Sequence, residues 1–202
     1  KIEIKEIDLE WIIYNKNRTK SWKSHHEKGG GILFNFYCHS LYYIELLFGK
    51  ISSTKVNIKN NATNNDSFVV GDIILASGIK IKIKLLVGSL NKHKKTIHHL
   101  KIKTDKNNYY LLRSGTKNLY DQFQLYKIKN IRRKKLKRVL FKAKPTKKDF
   151  RIYPTLVNLK RFAASINNQK LDRSSFFKAN RIHYILNQSV ISSKKNKRVT
   201  IN

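Results

Sequence analysis

Between Ile79 and Leu85 the chain alternates without error: Ile79, Ile81, Ile83 and Leu85 are apolar, and Lys80, Lys82 and Lys84 lie between them. Successive side chains on a strand point to opposite faces, so this stretch can only be a strand with one greasy face and one lysine-lined face. A slip of one residue would turn every isoleucine toward water. The pattern therefore fixes the sidedness of whatever sheet contains it.

Other stretches have the same character. Residues 1–14 place Ile2, Ile4, Ile7, Leu9, Trp11 and Ile13 mostly at every second position. Ile51–Lys59, Phe68–Ala76, Thr96–Thr104, Tyr109–Arg113 and Gln122–Ile128 are bounded by turn signals such as NNATNND, Ser77-Gly78 and DKNN. Neighbours joined this way are expected to be antiparallel hairpins. Two kinds of helix interrupt the strands. Gly29–Gly49, GGGILFNFYCHSLYYIELLFG, is apolar nearly all round after its glycines and is expected to be buried, Cys38 included. Near the end, PTLVNLKRFAASI spaces Leu156, Leu159, Phe162 and Ile166 helically after Pro154. SFFKANRIHYILNQSV follows Ser174 and Ser175 as N-cap, with Phe176, Ile182, Ile185 and Val190 on its expected buried side. A short strand over 198–201 closes the chain. The expectation is one α+β domain over residues 1–202, an open, mostly antiparallel β-sheet with helices packed on one face.

Charge narrows the function classes less than its size suggests. The 44 Lys+Arg exceed the 12 Asp+Glu by 32, a field that attracts polyanions. Yet most of the excess is lysine, accompanied by many Ile and Asn, as an A/T-rich coding bias would produce on any solvated surface. The compositional reading is preferred to nucleic-acid binding. The longest basic run, Ile131–Lys148, has no acidic residue and reads as an edge or connector segment. The 40% of hydrophobic residues indicates a folded core. Cys38 is the only cysteine, so no internal disulfide forms, and a reducing compartment, the cytoplasm, is expected. No apolar run is long enough to span a bilayer. The sequence contains no Met and begins at Lys1 inside an alternating run, which reads as a piece of a longer protein whose missing part is N-terminal.

Most chemical motifs are missing. GxGxxG after a strand, a Walker loop, HExxH and CxxC do not occur, and His25, His26, His93, His98 and His99 lack a Cys or acid at ligand spacing. The exception is the segment after Gly29. Three glycines allow close backbone approach ahead of a helix start, and Asn35, His39 and Tyr42 follow at i, i+4 and i+7 on one helical face. Polar groups on an apolar helix need partners. That face is either a site wall or holds a structurally bonded histidine.

GGGILFNFYCHSLYYIELLFGKI resembles the start of the C-terminal domain in the Gfo/Idh/MocA oxidoreductases, whose pattern runs GGGxLxDxGxHxxD and then an apolar stretch ending in glycine. Trp22-Lys23 ahead of it, the strands behind it and the closing SFFKANRIHYILNQSVISSKKNKRVTI extend the likeness along essentially the whole chain. The resemblance implies an enzyme in which an N-terminal Rossmann domain, absent from this chain, binds NAD or NADP. This domain would wall the site of a sugar, polyol or nucleotide sugar. Hydride passes between a secondary alcohol carbon and the nicotinamide, and a base takes the hydroxyl proton. His39 matches the family's catalytic histidine, and an imidazole, ordinarily titrating near 6.5, suits the task. Asn35 stands where the family has Asp, Tyr37 where it has Gly and Tyr42 where it has a further Asp. Asparagine cannot stabilise an imidazolium as a carboxylate does. Trp22, Lys23 and Tyr42 are the implied substrate contacts.

Two other readings stand beside this one. A basic nucleic-acid binder would use Lys80, Lys82, Lys84, Lys101 and Lys103 with Tyr109 or Tyr110 as stacking residues. A non-catalytic relative would only bind sugars or scaffold an oligomer. The family often associates through the open sheet face, and here the lysine row opposes such packing unless it meets carboxylates.

Overall fold

The computed structural model describes residues 3–14, 29–59, 67–88, 96–115, 123–131, 134–142, 152–167 and 176–202. The strands are β1 Ile4–Tyr14, β2 Ile51–Lys59, β3 Ser67–Leu75, β4 Lys80–Gly88, β5 Thr96–Thr104, β6 Asn108–Gly115, β7 Phe123–Ile131, β8 Lys134–Lys142 and β9 Val199–Thr200. A π-helical turn, Leu33–Tyr37, runs into helix α1, Cys38–Phe48, and the late helices are α2, Ile152–Asn167, and α3, Phe176–Lys195.

All nine strands form one sheet, in the order β8-β7-β6-β5-β1-β4-β3-β2-β9. Every hairpin pair is antiparallel, as the turn signals predict. β1, first in sequence, lies in the middle, parallel to β4 and antiparallel to β5. The basic run 131–148 contributes β8, the strand at one sheet edge, rather than a bare connector.

Sidedness follows the alternation. Ile81, Ile83 and Leu85 of β4 and Ile7 and Leu9 of β1 are buried in one cluster with Leu33, Tyr37, Leu41 and Ile44 from the first helix and Ile182, Ile185 and Leu186 from α3. The first helix and α3 thus cover the isoleucine face, and the lysine face stays open. Two burial expectations fail. Phe176 is exposed, as are Leu156, Leu159, Phe162 and Ile166 along α2. Cys38 is only half-buried, and Leu46 and Leu47 of α1 are exposed, because α1 lies on a single sheet and turns just one side to it.

Candidate functional site

The glycine run enters its helix as the motif expects, with Gly29 and Gly31 at positive φ, where an L side chain is strained. The helix then widens. Over Leu33–Tyr37 the backbone is π-helical, and the Cys38 N–H donates to the Leu33 carbonyl five residues back. Cys38 and Ser40 add side-chain bonds to carbonyls four residues back: the thiol donates to Phe34 O at 2.8 Å and the hydroxyl to Phe36 O at 3.2 Å. Burial pushes the Cys38 thiol up, so it stays protonated as a donor.

This widening changes the face that helical spacing predicts. Asn35 lies inside the π turn, where residues five apart, not four, follow one another along the axis. Asn35 is half-buried, while His39 is exposed on the side of the helix turned from the sheet. Tyr42 is half-buried and lines a slot toward α3 with Leu46 and Ile182, a slot that neither Asn35 nor His39 lines. The three residues border one helix surface without converging on one cavity. Trp22 and Lys23 lie outside the described residues.

Beneath His39 the helix is braced by groups that sequence reasoning did not single out. The Trp11 ring stacks on His98 at 4.2 Å, nearly parallel, and meets Phe36 edge-on at 5.3 Å. The Tyr43 hydroxyl lies 3.1 Å from His98 Nε2, and burial pushes that hydroxyl's pKa up. On the α3 side Tyr37, fully buried and pushed up to about 12 by burial, sits 3.3 Å from Ser189 Oγ. Phe36, Ser40 and Tyr43, at i, i+4 and i+7, were the available signal.

The open face carries a different constellation. β1 places Glu6, Asp8 and Glu10 in a row between the lysines of β4 and the Lys103, Lys101 and His99 of β5. Lys84 reaches Glu10 at 2.8 Å, Lys82 pairs with Glu6, Lys80 lies 3.5 Å from Asp72, and Arg198 pairs with Asp72. The Lys82 hydrogen bond holds Glu6 below the usual carboxylate range. His99, 8% exposed, contacts Glu10 through Nε2 at 2.8 Å and the Tyr110 hydroxyl through Nδ1 at 3.0 Å. Burial lowers its pKa in spite of Glu10, so a neutral imidazole donates to the carboxylate at pH 7. Tyr110 is thus engaged by His99 and by Lys101, 5.9 Å from its ring. Tyr109 belongs to the opposite face, with Lys127 at 6.0 Å. A lysine row interleaved with carboxylates is a solvated ionic lattice, poorly suited to gripping phosphates.

Among the described residues, no helix is long and apolar enough to cross a membrane. A family profile described as "Oxidoreductase family, C-terminal alpha/beta domain" matches residues 3–176. No curated protein matches the sequence. Among solved structures, the chain is similar to levoglucosan dehydrogenase in complex with NADH and L-sorbose, at 12% identity and TM-score 0.75 over 99% of this chain and 59% of that one. It is also similar to the transcriptional regulator Gal80p from Kluyveromyces lactis, at 13% identity and TM-score 0.76 over 98% and 56%. An oxidoreductase domain protein from Kribbella flavida matches at 10% identity and TM-score 0.73 over 98% and 58%. The chain spans about three fifths of the length of these proteins.

Proposed function

Because this chain belongs to the Gfo/Idh/MocA oxidoreductases, as their C-terminal alpha/beta domain, we propose that it is the substrate-binding part of an NAD(P)-dependent enzyme. The substrate is a sugar, polyol or nucleotide sugar carrying a reactive secondary alcohol. One observation carries the reading: His39 is exposed on a largely apolar helix, two residues past a π turn. Such turns are frequent at functional sites, where they re-aim side chains that regular spacing would misdirect.

In this reading His39 takes the hydroxyl proton of the alcohol undergoing oxidation, or returns it in the reverse direction. Asn35, in the preceding turn, orients the substrate by hydrogen bonding, and Trp22 and Lys23 complete its contacts, while Tyr42, in the slot toward α3, is left out of them. The dinucleotide has no seat among the described residues. Gly30, Gly31, Ile32 and Leu33 are all buried, so the helix start that follows the glycines is closed into the core and unavailable to a pyrophosphate. The proposal gives that task to an N-terminal Rossmann domain in a longer cytoplasmic protein. It also includes self-association through the open sheet face, where Glu6, Asp8, Glu10 and Asp72 offset the lysines that would otherwise repel a second copy.

In the full-length enzyme, His39→Ala is expected to lower kcat roughly 100-fold, the scale of lost acid–base catalysis. Steady-state kinetics with a panel of sugars and polyols checks this, and an unchanged kcat would remove His39 from the role.

A further inference from the structure

A slot of about 230 Å3 opens between the C-terminal half of α1 and the first two turns of α3, lined on its apolar side by Tyr42, Leu46, Gly49 and Ile182. Lys50, Lys178, Glu45 and Arg181 surround it. These four charges do not cancel. Glu45 accepts the Ile51 N–H at 2.9 Å, and both its oxygens lie 3.1 Å from Arg181 Nε. Arg181 donates further to the Ile51 and Asn202 carbonyls. That pair is closed on itself. Lys50 and Lys178 have no carboxylate partner among the described residues. The carbonyl end of α1 contributes about half a negative charge, too little to offset two ammonium groups.

Size limits the occupant. An apolar cavity of about 150 Å3 holds a benzene, and drug-sized ligands need about 300 Å3 or more. The slot suits one ring or one branched alkyl group. We propose that it binds a small amphipathic carboxylate, the apolar body against Tyr42, Leu46 and Ile182 and the acid between Lys50 and Lys178. The site goes beyond the dehydrogenase reading and does not depend on it, since neither His39 nor Asn35 lines the slot.

Benzoate titrated into the 15N-labelled 202-residue chain tests the proposal. It is expected to shift the amides of Leu46, Gly49 and Ile182 at millimolar or lower concentration. Benzyl alcohol, of equal size but uncharged, is expected to bind about tenfold more weakly, as is benzoate to the Lys50→Gln, Lys178→Gln double variant, given two modest exposed ion pairs. Leu46→Trp, at an exposed position, fills the slot and removes the shifts while the rest of the spectrum stays in place. Equal binding of acid and alcohol, undiminished binding by the double variant, or shifts centred on His39 would each overturn the proposal, as would no shift at about ten millimolar, well above the affinity stated.

Discussion

At the scale of single residues, a tightly constrained position in the sheet is Gly71 of β3, at φ 153 opposite Val56 of β2. A Cβ there would press on the Lys55 carbonyl oxygen and come within 2.7 Å of Val56 Cα, both backbone atoms that cannot swing aside. Gly71→Ala is expected to destabilise by about 2–3 kcal/mol, the scale of an overpacked core, read from urea denaturation. His99 and Glu10 set a pH dependence. His99 is held below its ordinary value by burial, so its neutral form contributes stability fully above the unfolded value near 6.5, and that contribution fades as pH falls. For Glu10, burial raises the pKa, but Lys84, His99 and Lys101 together hold it below the usual carboxylate range. Its contribution is present above the unfolded value and is lost as pH falls through the folded one. Both act in the same direction. The urea midpoint should fall as pH drops from 7 toward 4, and His99→Gln should flatten the part between 7 and 5. None of this was legible in a run reading TIHHLKIKT, because the partners of His99 sit on β1 and β6.

At the scale of elements, the sequence marked strands and helices closely because alternation and helical spacing are local properties. The π turn escaped it. ILFNFYCHS has ordinary helical spacing, and the extra width becomes visible only when Tyr37 must reach Ser189 on one side while Phe36 meets Trp11 on the other. The α2 stripe shows the converse: helical spacing was read correctly, but spacing says nothing about what covers a face. The joint between α1, α3 and β2 depends on Arg181, which ties Glu45, the Ile51 carbonyl and the chain end together. Arg181→Ala would leave the largely buried Glu45 carboxylate with the Ile51 N–H as its remaining hydrogen-bond donor among the described residues. A loss of about 2–4 kcal/mol is expected, near the cost of breaking a buried pair and reduced by the residual exposure of Arg181. Thermal unfolding, with Arg181→Lys as the partial-rescue control, measures it.

At the scale of the whole molecule, the net charge of +32 is unevenly expressed. On the open face the acids of β1 stand between lysine rows. The combined Glu6→Gln, Asp8→Asn, Glu10→Gln variant should therefore gain affinity for generic DNA, by about tenfold or more at low salt, and lose it steeply as salt rises. Filter binding at two ionic strengths, with circular dichroism to confirm folding, would show it, and equal retention of parent and variant would deny the lattice its role. The alternation of IEIKEIDLEW was in plain view, but its partner strands were not, since β1 sits between β5 and β4 and not beside β2. The sequence by itself determined the strands other than β8, the sheet's two faces and the glycine-led helix bearing His39, because periods of two and of about 3.6 are written in neighbouring residues. Only the tertiary structure decided that His39 faces outward, that Tyr42 turns into a separate slot and that the lysines meet carboxylates. Each of these depends on groups far apart in the chain, brought together by strand order and by the one turn whose width departs from the regular helix.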